Sequence, residues 1–307
     1  METPARCPAC GGALFAWRSV PASDPALNPA CYQLARCARC HSAVTGGPVP
    51  GGLYESGAYR PGIPRLHASA RPVLGLFDRQ RLMLARSLAA PPARLLDAGA
   101  GRGRFVAAAR AAGYDAFGIE PSARGPVQHV ERAGIEDARI EPGSVDVVTL
   151  WHVLEHLDDP AAALDRVASW LRPRGGLLIG VPNLASLQAR IGGERWYHLD
   201  VPRHRMHYTP AGLEALLRSC GFTVLAVRHT LLEHNAFGMW QTLVNRVTRH
   251  PSYAYNVLKR NAPVRSPDLA ISVAALSLLP LAAGIELVAG AAGRGGTIAV
   301  LARRRRP

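Results

Sequence analysis

Residues 94–105, RLLDAGAGRGRF, constrain the fold of this chain more than any other segment. A short apolar run, 94–98, passes directly into glycines at 99, 101 and 103, then into a helix-forming run, 104–112, that Gly113 closes. Glycine has no Cβ, so alternate glycines let the backbone turn sharply and come close to a ligand, while the free amides of the following helix point at the same place. Strand, glycine turn and helix make the first unit of an α/β fold. The pattern is D-x-G-x-G-x-G, and the acid Glu120 ends the next strand, 115–119. An acid there can accept the hydroxyl protons of a ribose. The pattern is not the dinucleotide G-x-G-x-x-G, and no G-K-[ST] is present, which leaves NTP hydrolysis without support.

The alternation continues along the chain. Apolar runs at 145–150, 177–181 and 222–228 read as strands, and 297–302 as a final strand. Between them lie a helix at 160–171, with Asp158 or Asp159 as N-cap and Pro160 in its first turn, and a helix at 210–220, capped by Thr209 and closed by Gly221. A further helix at 79–89 stops at Pro91-Pro92. The expected fold class is α/β: a Rossmann-like parallel sheet whose last strand is antiparallel. The expected organisation is a small module at 1–46, an irregular Gly- and Pro-rich connector at 47–74, and a main domain at 75–307 with a helical insertion at 231–294.

The small module is defined by cysteine spacing. Cys7, Cys10, Cys37 and Cys40 form two C-x-x-C pairs 26 residues apart. Each pair sets two thiolates on one side of a tight knuckle, and two knuckles complete the tetrahedral shell of a structural Zn(II), a zinc ribbon. Redox dithiols and unliganded thiols are the competing readings. His41 could replace a cysteine ligand, and Cys31 and Cys220 read as buried thiols. The first residues carry no apolar run of secretory type, so the chain is expected in the cytoplasm.

Charge points two ways. A formal charge of +14, from 36 basic and 22 acidic residues, suggests a nucleic-acid footprint. Lys259 is nevertheless the only lysine, so the excess is an arginine bias, and its position decides: residues 91–180 sum to −2, whereas 231–307 sum to +7. The glycine-loop half is not basic.

On the motifs LLDAGAGRGRF, FGIEP, VDVVTLWHVLEHLDDP and LRPRGGLLIGVPN, residues 75–304 resemble the class I S-adenosylmethionine-dependent methyltransferases. The resemblance implies that Gly99, Ala100, Gly101 and Gly103 approach the methionine part of S-adenosylmethionine, that Asp97 orients it, and that Glu120 and Pro121 meet the ribose. It also implies that Glu136, beside Ile135 and Asp137, meets adenine from the third strand, and that Trp151 and His152 leave the fourth strand next to the cofactor. Only residues 121–130 separate the second strand from the third, too few for the usual helix. WHVLEHL and RWYHLDVPRHRMHYTP resemble small-molecule methyltransferases near the ubiquinone-biosynthesis O-methyltransferases.

Methyl transfer to oxygen or nitrogen needs a held acceptor and a base. Candidate bases are His152, His156, His204 and His207, because the ordinary histidine pKa lies near operating pH. Three readings stand for the Glu155-His156 pair: hydrogen bonding of its own loop, catalysis, or a divalent metal gathered with His152 and His204. Trp196, Tyr197 and Tyr208 read as an acceptor wall or as packing. The missing N/D-P-P-Y argues against an adenine or glutamine amino group.

Within the insertion, 235–247 reads as an amphipathic helix. Residues 269–293 hold one charge, Glu286, and suggest a hairpin broken at Pro280. A peripheral membrane contact or a lipophilic pocket, buried or dimer packing, and a membrane span are its alternatives; a span would strand the final strand away from its sheet. The expected function is methyl transfer from S-adenosylmethionine to a small acceptor, lipophilic or carrier-bound. An RNA methyltransferase using the zinc module to bind RNA, and a non-catalytic cofactor-binding regulator, are the alternatives.

Overall fold

The computed structural model describes residues 4–24, 27, 30–50, 66–122, 125–259 and 262–305. Its centre is a seven-stranded sheet made of β4 (Arg94–Ala98), β5 (Asp115–Ile119), β6 (Val130–Glu131), β7 (Val145–Trp151), β8 (Leu171–Pro182), β10 (Phe222–Arg228) and β11 (Thr297–Arg304). The spatial order is β10-β11-β8-β7-β4-β5-β6, and β11 alone runs antiparallel to both of its neighbours. This is the expected Rossmann-like arrangement. Strand periodicity sorts the core into two layers. Leu96, Leu177, Ile179, Ile298 and Val300 face one side, with Leu164 of α3 (Pro160–Trp170) and Leu216 of α5 (Pro210–Ser219). Leu95, Leu178 and Leu301 face the other, with Leu88 of α1 (Leu66–Leu88) and Val106 of α2 (Arg104–Ala111). Asp159 caps α3 through the amide of Ala162, and Thr209 caps α5 through that of Gly212.

Several boundaries differ from the sequence reading. Helix α1 begins at Leu66, inside the segment expected to be a connector, and carries Pro72 within it. Proline removes one helical hydrogen bond, and the apolar docking of Ala85 and Leu88 farther along holds the helix regardless. The rest of that connector, 51–65, lies outside the described residues. The third strand is Val130–Glu131, paired with Gly118 and Ile119; Glu136 sits in a later turn that Arg166 ties to α3 through the carbonyls of Ile135 and Ala138. The short 121–130 link leaves no room to swing farther before pairing. Cys31 is exposed at the start of β2, whereas Cys220 is buried as expected.

The N-terminal module is stitched into the main domain. Its strands β1 (Leu14–Pro21), β2 (Cys31–Cys37) and β3 (Ala43–Thr45) continue into β9 (Met206–His207), giving the antiparallel order β1-β2-β3-β9. Thr209 Oγ1 donates to the Cys40 carbonyl (2.6 Å), and the Thr209 amide donates to Ser42 Oγ (3.1 Å). The cysteines therefore share one core with Met206, Tyr208 and Leu213.

The insertion forms α6 (Asn235–Asn245), α7 (Tyr253–Leu258), α8 (Pro267–Ala274) and α9 (Leu279–Ala291). No hairpin forms at Pro280: α8, a 3-10 turn and α9 make one helix, Pro267–Ala291, because proline in the first turn of α9 requires no amide donor.

At the heart of the sheet, Asp97 Oδ1 accepts from Arg81 Nη2 of α1 (3.0 Å) and from Thr149 of β7, with Asp97 2% exposed. Burial pushes the Asp97 carboxyl above its ordinary value, against the pull of Arg81. Removing the cation leaves a buried charge without compensation, so Arg81→Ala is expected to lower the unfolding free energy by about 3–5 kcal/mol, measured by urea denaturation.

Candidate active site

The glycine turn between β4 and α2 is shaped for a ligand. Gly99 has φ +82°, and a Cβ there would come within 2.2 Å of Val153 Cγ2. Gly101 has φ +54° and open space where a Cβ would stand. Helix α2 starts at Gly103 without a side-chain cap. Its first amides thus remain for a ligand. Glu120, at the end of β5, faces this turn: one carboxylate oxygen accepts from the Gly101 amide (2.9 Å), the other from the Ser122 amide and hydroxyl (3.0 and 2.6 Å). Open backbone, free helix amides and a carboxylate fit the methionine and ribose parts of S-adenosylmethionine. Asp97, just before the turn, spends its charge on Arg81. Ala100 is buried against Gly118, and Pro121 is exposed next to Glu120. Trp151 is nearly buried, packed on Gly180 and under the Arg81 guanidinium, 4.8 Å from its ring. Glu136 is exposed in its turn.

Beyond the end of β7 lies a cavity of about 210 Å³. His152 and His156 reach it from the loop after β7, and Tyr197, His198, Asp200 and His204 from the segment after α4 (Leu187–Gly192). The N-terminal module adds Ser23, and the insertion adds His234, Ser252, Tyr255, Asn256 and Lys259. Asn256 Nδ2 donates to the Ser23 carbonyl (2.9 Å), so the two peripheral parts also meet each other.

His152 carries positive φ (55°), an uncommon backbone state for histidine. Its Nδ1 donates to Glu155 Oε1 (2.9 Å), which leaves Nε2 as its proton acceptor. Glu155 is fully buried. Burial alone would raise its pKa, but the His152 hydrogen bond, with the charges of His152, His156 and His204, brings it down to about 2.

Residues 74–227 match the family described as "Methyltransferase domain". The chain belongs to the class I S-adenosylmethionine-dependent methyltransferases. The ubiquinone biosynthesis O-methyltransferase of Xanthomonas campestris pv. campestris (strain B100) is 31% identical over 169 residues, covering 49% of this chain and 71% of that protein. Its namesake in Xanthomonas euvesicatoria pv. vesicatoria (strain 85-10) is 34% identical over 113 residues, which is 35% of this chain and only 46% of that protein's length. Burkholderia thailandensis 1,6-didemethyltoxoflavin-N1-methyltransferase, solved with S-adenosylhomocysteine, aligns with a TM-score of 0.43 at 16% identity over 87% of this chain and 97% of its own.

In this methyltransferase the candidate bases separate. His152, His156 and His204 line the cavity, whereas His207 is buried in β9. Thr45 Oγ1 donates to the His204 carbonyl (2.7 Å) and so accepts from His207 Nε2 (2.9 Å). That bond ties the N-terminal module to the site and removes His207 from it. Of the aromatic run, Tyr197 lines the cavity, Trp196 packs against Val20 and Leu34 of the module, and Tyr208 is in the core.

Two donor sets suit metals. Donor atoms of Glu155, His156 and His204 lie within 4.8 Å of one another. His156 Nδ1 donates to the Arg203 carbonyl (3.1 Å) and His204 Nδ1 to the His198 carbonyl (2.8 Å), the carbonyl support that metal-binding imidazoles receive on their other nitrogen; Glu155 Oε2 is buried with no hydrogen bond among the described residues. The other set is Cys7, Cys10, Cys37 and Cys40, whose sulfurs also lie within 4.8 Å of one another. The Cys7–Cys40 and Cys10–Cys37 separations of 3.7 and 3.4 Å are close to the roughly 3.8 Å edge of a zinc tetrahedron with 2.3 Å bonds. The Arg39 amide donates to Cys37 Sγ (3.3 Å), as in a metal knuckle. His41 is exposed and outside the set.

Purified protein is expected to carry one zinc per chain by mass spectrometry of metals, and Cys40→Ser to lose it. Stability should also depend on pH through the buried histidines. Burial and His152 hold His234 down to about 4, and burial with His234 holds His198 well below its ordinary value. The unfolded chain binds protons below about pH 6.5 that the folded chain refuses, so this stability is present above about 6.5 and lost as pH falls toward 4. Urea midpoints at pH 7 and pH 5 should differ in that sense.

Proposed function

We propose that the methyltransferase moves the methyl group of S-adenosylmethionine to an oxygen of a small polar acceptor bound in the histidine-lined cavity, with His152 as general base. The observation that carries this is the hydrogen bond from cavity-lining His152 to the fully buried Glu155 just beyond β7. When bound, S-adenosylmethionine supplies a methyl group activated by a positive sulfonium. Gly99, Gly101 and Gly103 allow it close approach, and Glu120 exchanges its contacts with Gly101 and Ser122 for ribose hydroxyls. Glu155 holds His152 in one tautomer and stabilises the imidazolium formed when Nε2 takes the acceptor's proton. Asp200, Asn256, Tyr255 and Lys259 offer polar groups that favour a hydroxyl-rich acceptor, or the polar head of a carrier-bound one, over an apolar molecule. Cys7, Cys10, Cys37 and Cys40 hold a structural zinc that fixes β3, and β3 in turn fixes the His204–His207 segment.

The close grouping of the His156 and His204 imidazoles with the Glu155 carboxylate, donor atoms within 4.8 Å of one another, favours a second route to acceptor activation. A divalent cation there would lower the pKa of an acceptor hydroxyl. Chelation of the zinc-loaded protein with loss of transfer, restored by magnesium or manganese, would select this route.

The test is labelled S-adenosylmethionine with fractionated extract. Label is expected in polar small molecules or polar lipid-linked species. Label in RNA, or binding without transfer to any fraction, would overturn the proposal. His152→Ala is expected to lower kcat by about 10²–10⁴-fold with the Kd for S-adenosylmethionine unchanged by calorimetry, and Gly101→Val to abolish that binding.

A further inference from the structure

The helix Pro267–Ala291 is 25 residues long; its most apolar stretch has a mean hydropathy of 2.0, yet only 17% of that stretch is buried. Its inner face is small and docked. Ala282, Glu286, Ala289 and Gly290 are buried, Glu286 accepts from the Gly296 amide, and a Cβ at Gly290 would meet Thr230 Oγ1 at 2.9 Å. Trp240 of α6 fixes the middle by donating to the Ala275 carbonyl (2.8 Å). The outer face has no such partner among the described residues: Val273, Leu276, Leu281, Leu287 and Val288 are 51–71% exposed. An apolar face of this extent would ordinarily be covered.

Charge indicates the cover. Residues 246–296 contain two carboxylates, Asp268 and Glu286, and both are buried, at 2% and 3% exposure. Asp268 is occupied at the start of α8 by the amides of Arg249 and His250. Exposed Arg249 and Arg265 therefore stand at one end of the helix and Arg294 at the other, with no exposed acid among the described residues of 246–296. Two copies meeting through this face would bring arginine fringes together, whereas an anionic surface would pair with them. Crossing a bilayer is excluded by the fold. Strand β11 starts at Thr297, is paired along its length with β8 and β10, and follows the helix by only a few residues.

We propose that the outer face of Pro267–Ala291 docks this protein onto an anionic lipid bilayer, with the helix lying along the membrane plane. Valine and leucine side chains enter the acyl boundary, and Arg249, Arg265 and Arg294 meet lipid phosphates. This inference rests on the insertion alone and is independent of the acceptor and the base.

The experiment is flotation of the full-length protein with vesicles of phosphatidylcholine, with and without phosphatidylglycerol. Binding is expected to the phosphatidylglycerol vesicles and to weaken with salt. Leu281→Glu with Val288→Glu should abolish it, while S-adenosylmethionine binding and the melting temperature show the variant is folded. Arg265→Ser and Arg294→Ser should each weaken binding about fivefold. Failure of wild type to float with anionic vesicles overturns the proposal, as does equal flotation of the double glutamate variant. A wild-type dimer by light scattering that this variant converts to monomer would assign the face to a second copy instead, and likewise overturns it.

Discussion

A single buried carboxylate organises the site. Glu155 has no exposure, and a carboxylate taken fully out of water is costly unless neighbouring groups supply charge and hydrogen bonds. His152 supplies the hydrogen bond directly, and His156 and His204 face it from the loop after β7 and the segment before β9. Its own carbonyl accepts the Arg205 amide (2.7 Å), so the residue that needs compensation also fixes the segment that provides part of it. Any ligand entering the cavity meets imidazoles already oriented by this charge and by the carbonyls of Arg203 and His198.

The same economy explains why the N-terminal module is not a tethered accessory. A module of this size has too little core to stand alone without a crosslink or a metal. Here β3 pairs with β9, Thr209 caps α5 while bonding Cys40 and Ser42, and Arg203 bridges Asp24 and Asp200. The module thereby holds the His198–His207 segment from outside. The insertion holds it from the other side through Tyr255, which meets Tyr197 edge-on at 5.2 Å. The cavity is thus a joint product of three regions far apart in the chain.

Much of the fold was legible. Short apolar strand runs, the caps at Asp159 and Thr209, and the glycine turn are local, so short stretches of sequence specify them. The four zinc-type cysteines were legible for the same reason, since each knuckle closes within four residues. Where reading failed, distance was the cause. His234 and Tyr255 carry no motif, His198 and Asp200 do not stand out within RWYHLDVPRHRMHYTP, and Lys259, the only lysine, reads from sequence as part of the basic excess at 231–307. His207 looked like a base on residue type alone, and only its pairing with Thr45 shows otherwise. Pro280 reads as a break and Pro72 falls in the expected connector, but a first-turn position and helix packing accommodated them.

The sequence by itself determined the α/β class, the glycine turn and the cysteine set, because each rests on backbone chemistry or spacing within a few residues. The tertiary structure alone decided which histidines share a cavity and which face of the apolar helix stays open. Those outcomes depend on burying charge and apolar surface between segments separated by tens to hundreds of residues, and no local pattern records them.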